Sequence, residues 1–260
     1  MKRIAIILFV ILSPELYGSG FDDTILWIYD LPESSSNSLN TEPRLICDST
    51  VQVSVLYSRP YRIDELSWNN AFVKKGFGRW GLFGRFNSYG MKRYYNDYIY
   101  EAGIAVILPG SLAASVAGEY HYEQFDAVGG FARGELDARL SYRRGAVSAN
   151  AGISGLVLQE EYKIPGGRKS RPWGSVSALL NKEISLSAGV RKFENGRVRW
   201  LFCQRARLSS ELSLSFGVIN RPDVIFGRLI VAHGSFSLDL AFYSISRLND
   251  TAVLGLTYGG

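Results

Sequence analysis

Carboxylates, guanidinium groups and an imidazole recur at odd-numbered positions between residues 85 and 143: Arg85, Asp97, Glu101, Glu119, His121, Arg133, Glu135, Asp137, Arg139 and Arg143. A second set follows, with Arg191, Arg199, Arg205, Arg207, Glu211, Arg228 and Asp239. Charged groups gathered on one face either line a pore or ligand site, or neutralise one another in a salt-bridge network. Mixed signs on neighbouring segments favour the network, because charges withdrawn from water need partners. Residues 191–207 are locally basic, so an anionic ligand is expected there if anywhere. His233-Gly234-Ser235 invites a hydrolase reading. However, no Gly-x-Ser-x-Gly elbow accompanies it, and the pattern places His233 and Gly234 in a turn. Two histidines and scattered carboxylates give no metal-ligand spacing, and no glycine-rich phosphate loop occurs. The expectation is a protein without cofactor, metal or enzymatic activity.

These residues sit on segments that alternate with period two. From Tyr94 to Leu108 the even positions are mostly aromatic or aliphatic, while the odd ones include Asp97 and Glu101. Successive strand side chains point to opposite faces, so this is a strand with one apolar and one polar side. Leu112 to Tyr122 repeats the pattern. Leu136, Ala138, Leu140 and Tyr142 then oppose Arg133, Glu135, Asp137, Arg139 and Arg143. Fourteen segments are read this way: 50–58, 65–75, 79–87, 94–108, 111–122, 131–143, 146–156, 172–180, 184–193, 197–208, 211–219, 224–232, 235–246 and 251–258. Segments 65–75 and 224–232 alternate poorly, at Asn70 and Arg228. Every second connection is a tight turn, such as Pro109-Gly110 or Arg144-Gly145. The others are longer on average, and 157–171, which contains Gly166-Gly167-Arg168-Lys169, is the longest.

Short turns at one end and longer loops at the other mark an outer-membrane barrel with its turns in the periplasm. The expected fold is therefore all-β: a transmembrane antiparallel up-and-down β-barrel of about fourteen strands over residues 49–260. Aromatic residues toward segment ends fit girdles at the two membrane interfaces: Tyr57, Trp68, Trp80, Phe86, Tyr94, Tyr142, Trp173, Phe236 and Tyr258. The polar face also argues against a soluble sheet. It carries Arg rather than Lys, of which the chain holds 21 and 8, and the planar guanidinium suits carboxylate pairs in a confined interior. The competing reading is a soluble periplasmic β-rich binding protein, whose apolar faces would pack on one another.

The chain is 260 residues long, 47% hydrophobic and 13% aromatic, too apolar and aromatic for disorder. Its net charge of +5 forms no basic run, so no nucleic-acid partner is expected. Residues 1–20 have the plan of a cleaved signal peptide: Lys2-Arg3, an apolar run from Ile4 to Leu12, and Gly18-Ser19-Gly20 before the cut. No later run is long and apolar enough for a transmembrane helix. Residues 21–48 precede the first clear strand as a luminal or periplasmic segment and are a possible plug. Export would permit a disulfide between Cys47 and Cys203; two buried thiols are the alternative.

With these features the chain resembles the FadL-like superfamily of outer-membrane barrels, in particular its PorV/PorQ-type branch. The resemblance rests on the leader, the segment before strand one, the fourteen strands and three stretches. These are Glu65-Leu66-Ser67 with Gly76 to Gly90, Tyr98 to Gly103 (YIYEAG), and the ending Leu254-Gly255-Leu256-Thr257-Tyr258. It implies an outer-membrane location, and either passage of small or lipophilic solutes or a membrane platform associated with type IX secretion. Expected partners are outer-membrane lipid, hydrophobic or anionic small molecules, or secretion-machinery proteins. Residues 21–48 carry no Asn-Pro-Ala-like element, which FadL-type transporters have in their hatch, and this speaks against fatty-acid transport. The terminal aromatic of many such barrels is displaced here, with Gly259-Gly260 following Tyr258.

Overall fold

A computed structural model describes residues 42–63, 65–91, 94–126, 129–161, 170–192, 198–220, 224–245 and 250–259. The expected leader at 1–20, residues 21–41 and Gly166 to Lys169 lie outside the described residues. The described chain forms fourteen antiparallel strands: β1 (Val51–Ser58), β2 (Leu66–Gly76), β3 (Trp80–Met91), β4 (Tyr95–Ile107), β5 (Leu112–Phe125), β6 (Gly129–Arg144), β7 (Val147–Glu160), β8 (Arg171–Leu179), β9 (Ile184–Lys192), β10 (Val198–Arg207), β11 (Leu212–Ile219), β12 (Val224–His233), β13 (Phe236–Ile245) and β14 (Thr251–Gly259). Each strand pairs with its sequence neighbours. The sheet closes when β14 returns to β1, with Val55 opposite Leu256. Closure leaves no unpaired edge, as a lipid-exposed sheet requires.

The alternation decides which face is which. Every strand presents apolar side chains outward, for example Val55, Val73, Leu82, Tyr100, Val116, Leu140 and Val176 on the first eight strands, and Val190, Phe202, Phe216, Ile225, Phe242 and Leu254 on the rest. Between them, polar residues point into the lumen and are buried. A soluble barrel has the reverse arrangement, because apolar surface left in water costs free energy in proportion to its area. No described helix is long and apolar enough to cross a membrane, and crossing strands do not need one.

One end carries tight turns, at 77–79, 108–111, 145–146, 180–183, 208–211 and 234–235. In the two-residue turns Gly145 and Gly234 have φ of 58° and 57°, the left-handed values that twist-matched hairpin turns need. The opposite, loop end carries the longer 59–65 and 161–170 connections, but 92–94 and 126–128 are as short as turns. The expected loops at 88–93 and 123–130 are therefore largely strand. Gly129-Gly130 reads as loop by composition, yet the Tyr122 ring occupies the space a Gly130 side chain would need, so glycine is what lets the two strands continue.

The two poorly alternating segments are regular strands. The inward residues of β2 are Leu66, Trp68, Asn70, Phe72 and Lys74, and those of β12 are Val224, Phe226, Arg228 and Ile230. Their inner face mixes apolar and charged residues, which blurs the sequence pattern. The lumen is thus apolar toward the loop end, where Tyr61, Trp68, Tyr89, Met91, Ile219, Phe226 and Tyr243 form one buried cluster. Two of the proposed girdle aromatics belong to the interior instead. Trp68 is fully buried on the inward face. Trp173 lies against Gly152, its indole filling the space a side chain there would take. Outward aromatics at strand ends include Trp80, stacked on Phe77 at 4.5 Å, and Phe236 beside Tyr258 at 5.1 Å.

A single-turn helix, α1 (Pro43–Ile46), sits in the lumen at the turn end and touches β2 to β6. Pro43 begins it without wasting a donor, and Ile46 is completely buried. It fits because inward-facing Gly76 and Gly81 lack side chains; a Cβ at either would collide with the backbone of Asp48 or Ile46. Lys74 Nζ donates to the Leu45 carbonyl and Lys75 Nζ to that of Ser49 at 3.1 Å. Cys47 and Cys203 are both buried free thiols, so no disulfide links them.

Candidate functional site: the charged lumen

On the wall formed by β3 to β6, strand register places three glutamates side by side: Glu101 opposite Glu119, and Glu119 opposite Glu135. Like charges directly across a ladder repel, and the flanking residues resolve this. Arg85 lies across from Glu101, 3.4 Å from it. Arg139 reaches Glu101 at 3.0 Å and Asp137 at 3.4 Å. Arg133 bonds Glu135 at 2.5 Å, Glu123 at 2.6 Å and the His121 Nδ1 at 2.8 Å. Arg171 reaches Glu135 at 3.2 Å from β8. Asp97 is buried on the same wall, opposite Glu123.

The backbone is shaped to this network. At Gly155, φ is +71° and the β6–β7 register slips, a β-bulge. The bulge turns the Gly155 N–H toward Asp137 Oδ1 at 2.9 Å. A side chain at Gly155 would press on the Arg171 and Glu135 head groups.

Two clusters here have the composition of a cation site: Glu119, His121 and Glu135, and Glu101, Glu119 and Asp137. Hydrogen bonding assigns them otherwise. A guanidinium only donates, so His121 Nδ1 accepts from Arg133 and the ring proton sits on Nε2, facing Glu119 at 3.0 Å. That nitrogen has no lone pair to offer a metal. In the second cluster Arg139 already bridges Glu101 and Asp137.

The other wall differs in kind. On β9 and β10, Arg191 lies directly opposite Arg199, and both are buried on the inward face. Arg205 is partly buried and donates to Ser213 Oγ at 3.3 Å. Small hydroxyl residues lie around Arg205 and on the neighbouring strands toward the turn end, including Ser177, Ser185, Ser187, Ser213 and Ser215, whereas Trp173 lies opposite Arg191. Further round, Arg228 holds Asp239 through Nε at 3.0 and 2.9 Å, with its Nη2 on the same carboxylate. Among the described residues, Asp239 is the one buried inward acid on β8 to β14. Among the described residues, buried inward carboxylates are therefore concentrated on β4 to β6, where arginines of β3, β6 and β8 pair with them, while the buried charged residues of β9 and β10 are arginines.

Of the sequence-predicted site residues, Arg85, Asp97, Glu101, Glu119, His121, Arg133, Glu135, Asp137 and Arg139 come together on one wall, and Arg191, Arg199 and Arg205 lie on the other. Arg207 does not join them. It is exposed at the turn-end rim, where β10 has left the enclosed part of the barrel; Glu211 is exposed there too. His233 ends β12 on the surface, its side chain 93% accessible and 3.9 Å from Glu211, so it has no enclosed site in which to act as a base. Sequence reasoning misses Arg171 and Glu123, because both fall in segments that read as loop. Continuing the odd-position pattern from Glu119 and His121 would have found Glu123.

No protein-family model matches the chain, and no curated protein matches it in sequence. Among solved structures it is similar to one described as the CymD monoaromatic hydrocarbon channel, with a TM-score of 0.62 at 6% identity over 86% of this chain and 92% of that one. The Pseudomonas putida toluene transporter TodX aligns at 0.61, with 7% identity over 85% and 92%. A Pseudomonas aeruginosa FadL homologue aligns at 0.56, with 9% identity over 86% and 94%. At these identities the likeness concerns the fold: a closed barrel of the same architecture.

Proposed function

We propose that the protein is a non-enzymatic integral outer-membrane β-barrel that gives small solutes passage, exported by residues 1–20 and plugged by residues 21–48. The observation that carries this reading is the inverted surface: apolar side chains face outward on all fourteen strands, while charged ones are enclosed. A soluble binding protein would need those outward faces to pack on one another, and they are exposed. The barrels similar in fold that are described as a hydrocarbon channel and a toluene transporter support passage, and the apolar cluster at the loop end of the lumen suits lipophilic solutes. A platform role of the PorV/PorQ kind is the second reading, favoured by α1 seated in the lumen. A platform keeps its lumen shut, and a passage opens when the plug moves.

Conductance of the full chain in planar bilayers tests this, with Gly81→Val to displace α1. Small current steps in the parent that grow in the variant are expected. Silence in both, with the barrel folded, would favour the platform. Release of α1 has its own readout. Burial pushes the Cys47 thiol up, which leaves little thiolate at neutral pH. Maleimide labelling of Cys47 in a Cys203→Ser background should accelerate by about tenfold or more in Gly81→Val.

A further inference from the structure

The loop end of the lumen has a closure of its own, separate from α1. β1 ends at Ser58, whose Oγ donates to the Ala252 carbonyl at 2.7 Å. Arg59 is exposed, and its Nε donates back to the Tyr57 hydroxyl on the outer wall at 2.8 Å. Pro60 and Tyr61 are buried, so the chain turns over the rim and into the mouth within two residues. There Tyr61 joins Trp68, Tyr89, Phe226 and Tyr243 in the buried cluster, and its tight turn, Pro60–Arg62, touches β2 and β14. Those four partners are fixed on strands, each held by ladders on both sides. Tyr61 instead sits on a connection whose backbone bonds, from Ile63 to Pro60 at 3.1 Å and from Leu66 to Ile63 at 3.0 Å, are local.

Opposing forces act on Tyr61. Its φ and ψ are 58° and 19°, a left-handed conformation that glycine adopts freely and a bulky side chain only at a backbone cost. Against this, its ring is withdrawn from water. Its N–H also donates at 2.9 Å to Oγ1 of Thr251, a fully buried residue on the inward face of β14. The backbone would relax if the turn swung out, while the ring and the hydrogen bond hold it in. Trp68 Nε1 is buried with no acceptor among the described residues, so the closed arrangement leaves unsatisfied a donor that water would bond in an open one.

We propose that residues 59–63 are a gate at the loop-end mouth, with Tyr61 as its stopper and Thr251 as its catch. This rests on the solute-passage reading and adds a second closure in series with α1, so that a solute crosses only when both are open. The gate opens by moving one connection while the fourteen strands stay paired.

A reporter thiol just inside the gate reads its opening. Asn70 is inward on β2, two residues deeper than Trp68, and is buried. Asn70→Cys with Cys47→Ser and Cys203→Ser gives the folded full chain a single thiol. In detergent, its reaction with a small methanethiosulfonate should accelerate by about tenfold or more in Tyr61→Gly, which removes stopper and strain together. Thr251→Val, which removes the catch and keeps its shape, should accelerate it by about threefold or more. Without either substitution the rate should change little across dilute guanidinium that leaves the barrel folded, because opening one connection exposes little surface. Unchanged labelling in both folded variants, or a rate that climbs with denaturant as steeply as global unfolding, would overturn the gate. If Tyr61→Gly does not fold, Thr251→Val and the denaturant dependence decide. The reaction needs access and not conduction. Accelerated labelling in a barrel that stays silent in planar bilayers, even with Gly81→Val added, would keep the gate and sink the passage.

Discussion

Asp239→Leu destabilises the folded barrel by about 3–5 kcal/mol, because it leaves the Arg228 guanidinium buried without its carboxylate. Arg228 and Asp239 form a buried ion pair. Both side chains are nearly inaccessible, and Arg228 Nε reaches both carboxylate oxygens. Their cross-strand partners are Ser215 and Ala241 for Arg228, and Ile230 and Gly255 for Asp239, and none of these carries a charge. Adding Arg228→Leu should recover most of the loss, since replacing both members of a buried ion pair with apolar residues is close to neutral. Unfolding by guanidinium in lipid vesicles measures all three variants against the parent. Additive losses, with the double variant worse than either single one, would mean the pair is solvated and contributes little.

Phe202→Arg has the second large effect, about 2–4 kcal/mol in vesicles, because Phe202 points outward near the middle of β10 and is 54% exposed. An arginine on a lipid-facing wall at that depth must leave water. Val198→Arg, outward at the loop-end start of the same strand, should cost only about 0–1 kcal/mol, since its head group reaches the interface. This depth dependence separates a bilayer from water as the surroundings. In water, arginine at Phe202 would be neutral or stabilising, and both substitutions would behave alike.

Much of this fold is legible in the sequence because the period-two signal is physical. Where one face meets lipid and the other an enclosed polar space, every residue is sorted by side, and parity alone places Glu101, Glu119, Arg133 and Arg139 on one face. The rest is hidden for identifiable reasons. Trp68 and Trp173 look like interface aromatics because composition does not say whether a large ring covers the outer wall or lies over a glycine inside. The continuation of β5 to Phe125, of β6 back to Gly129 and of β7 to Glu160 is masked by glycines and by a bulge at Gly155. Arg171, which completes the Glu135 pair, escapes for a different reason: it falls in the 157–171 stretch that reads as loop, although it opens β8. The seating of α1 depends on Gly76 and Gly81, which look like turn residues until the helix is placed against them.

The central claim is that the outward face of this barrel meets lipid, and the five tryptophans allow it to be measured on native residues. Trp80 and Trp200 point outward, whereas Trp68 is sealed inside. Single-tryptophan variants, with phenylalanine at the other positions, can be folded into vesicles of lipid brominated in the upper acyl chain. Bromine quenches indole at short range, so Trp80 and Trp200 should lose most of their fluorescence and Trp68 almost none. Equal quenching at all three, or none at Trp80 and Trp200 in protein shown to be folded, would contradict the account.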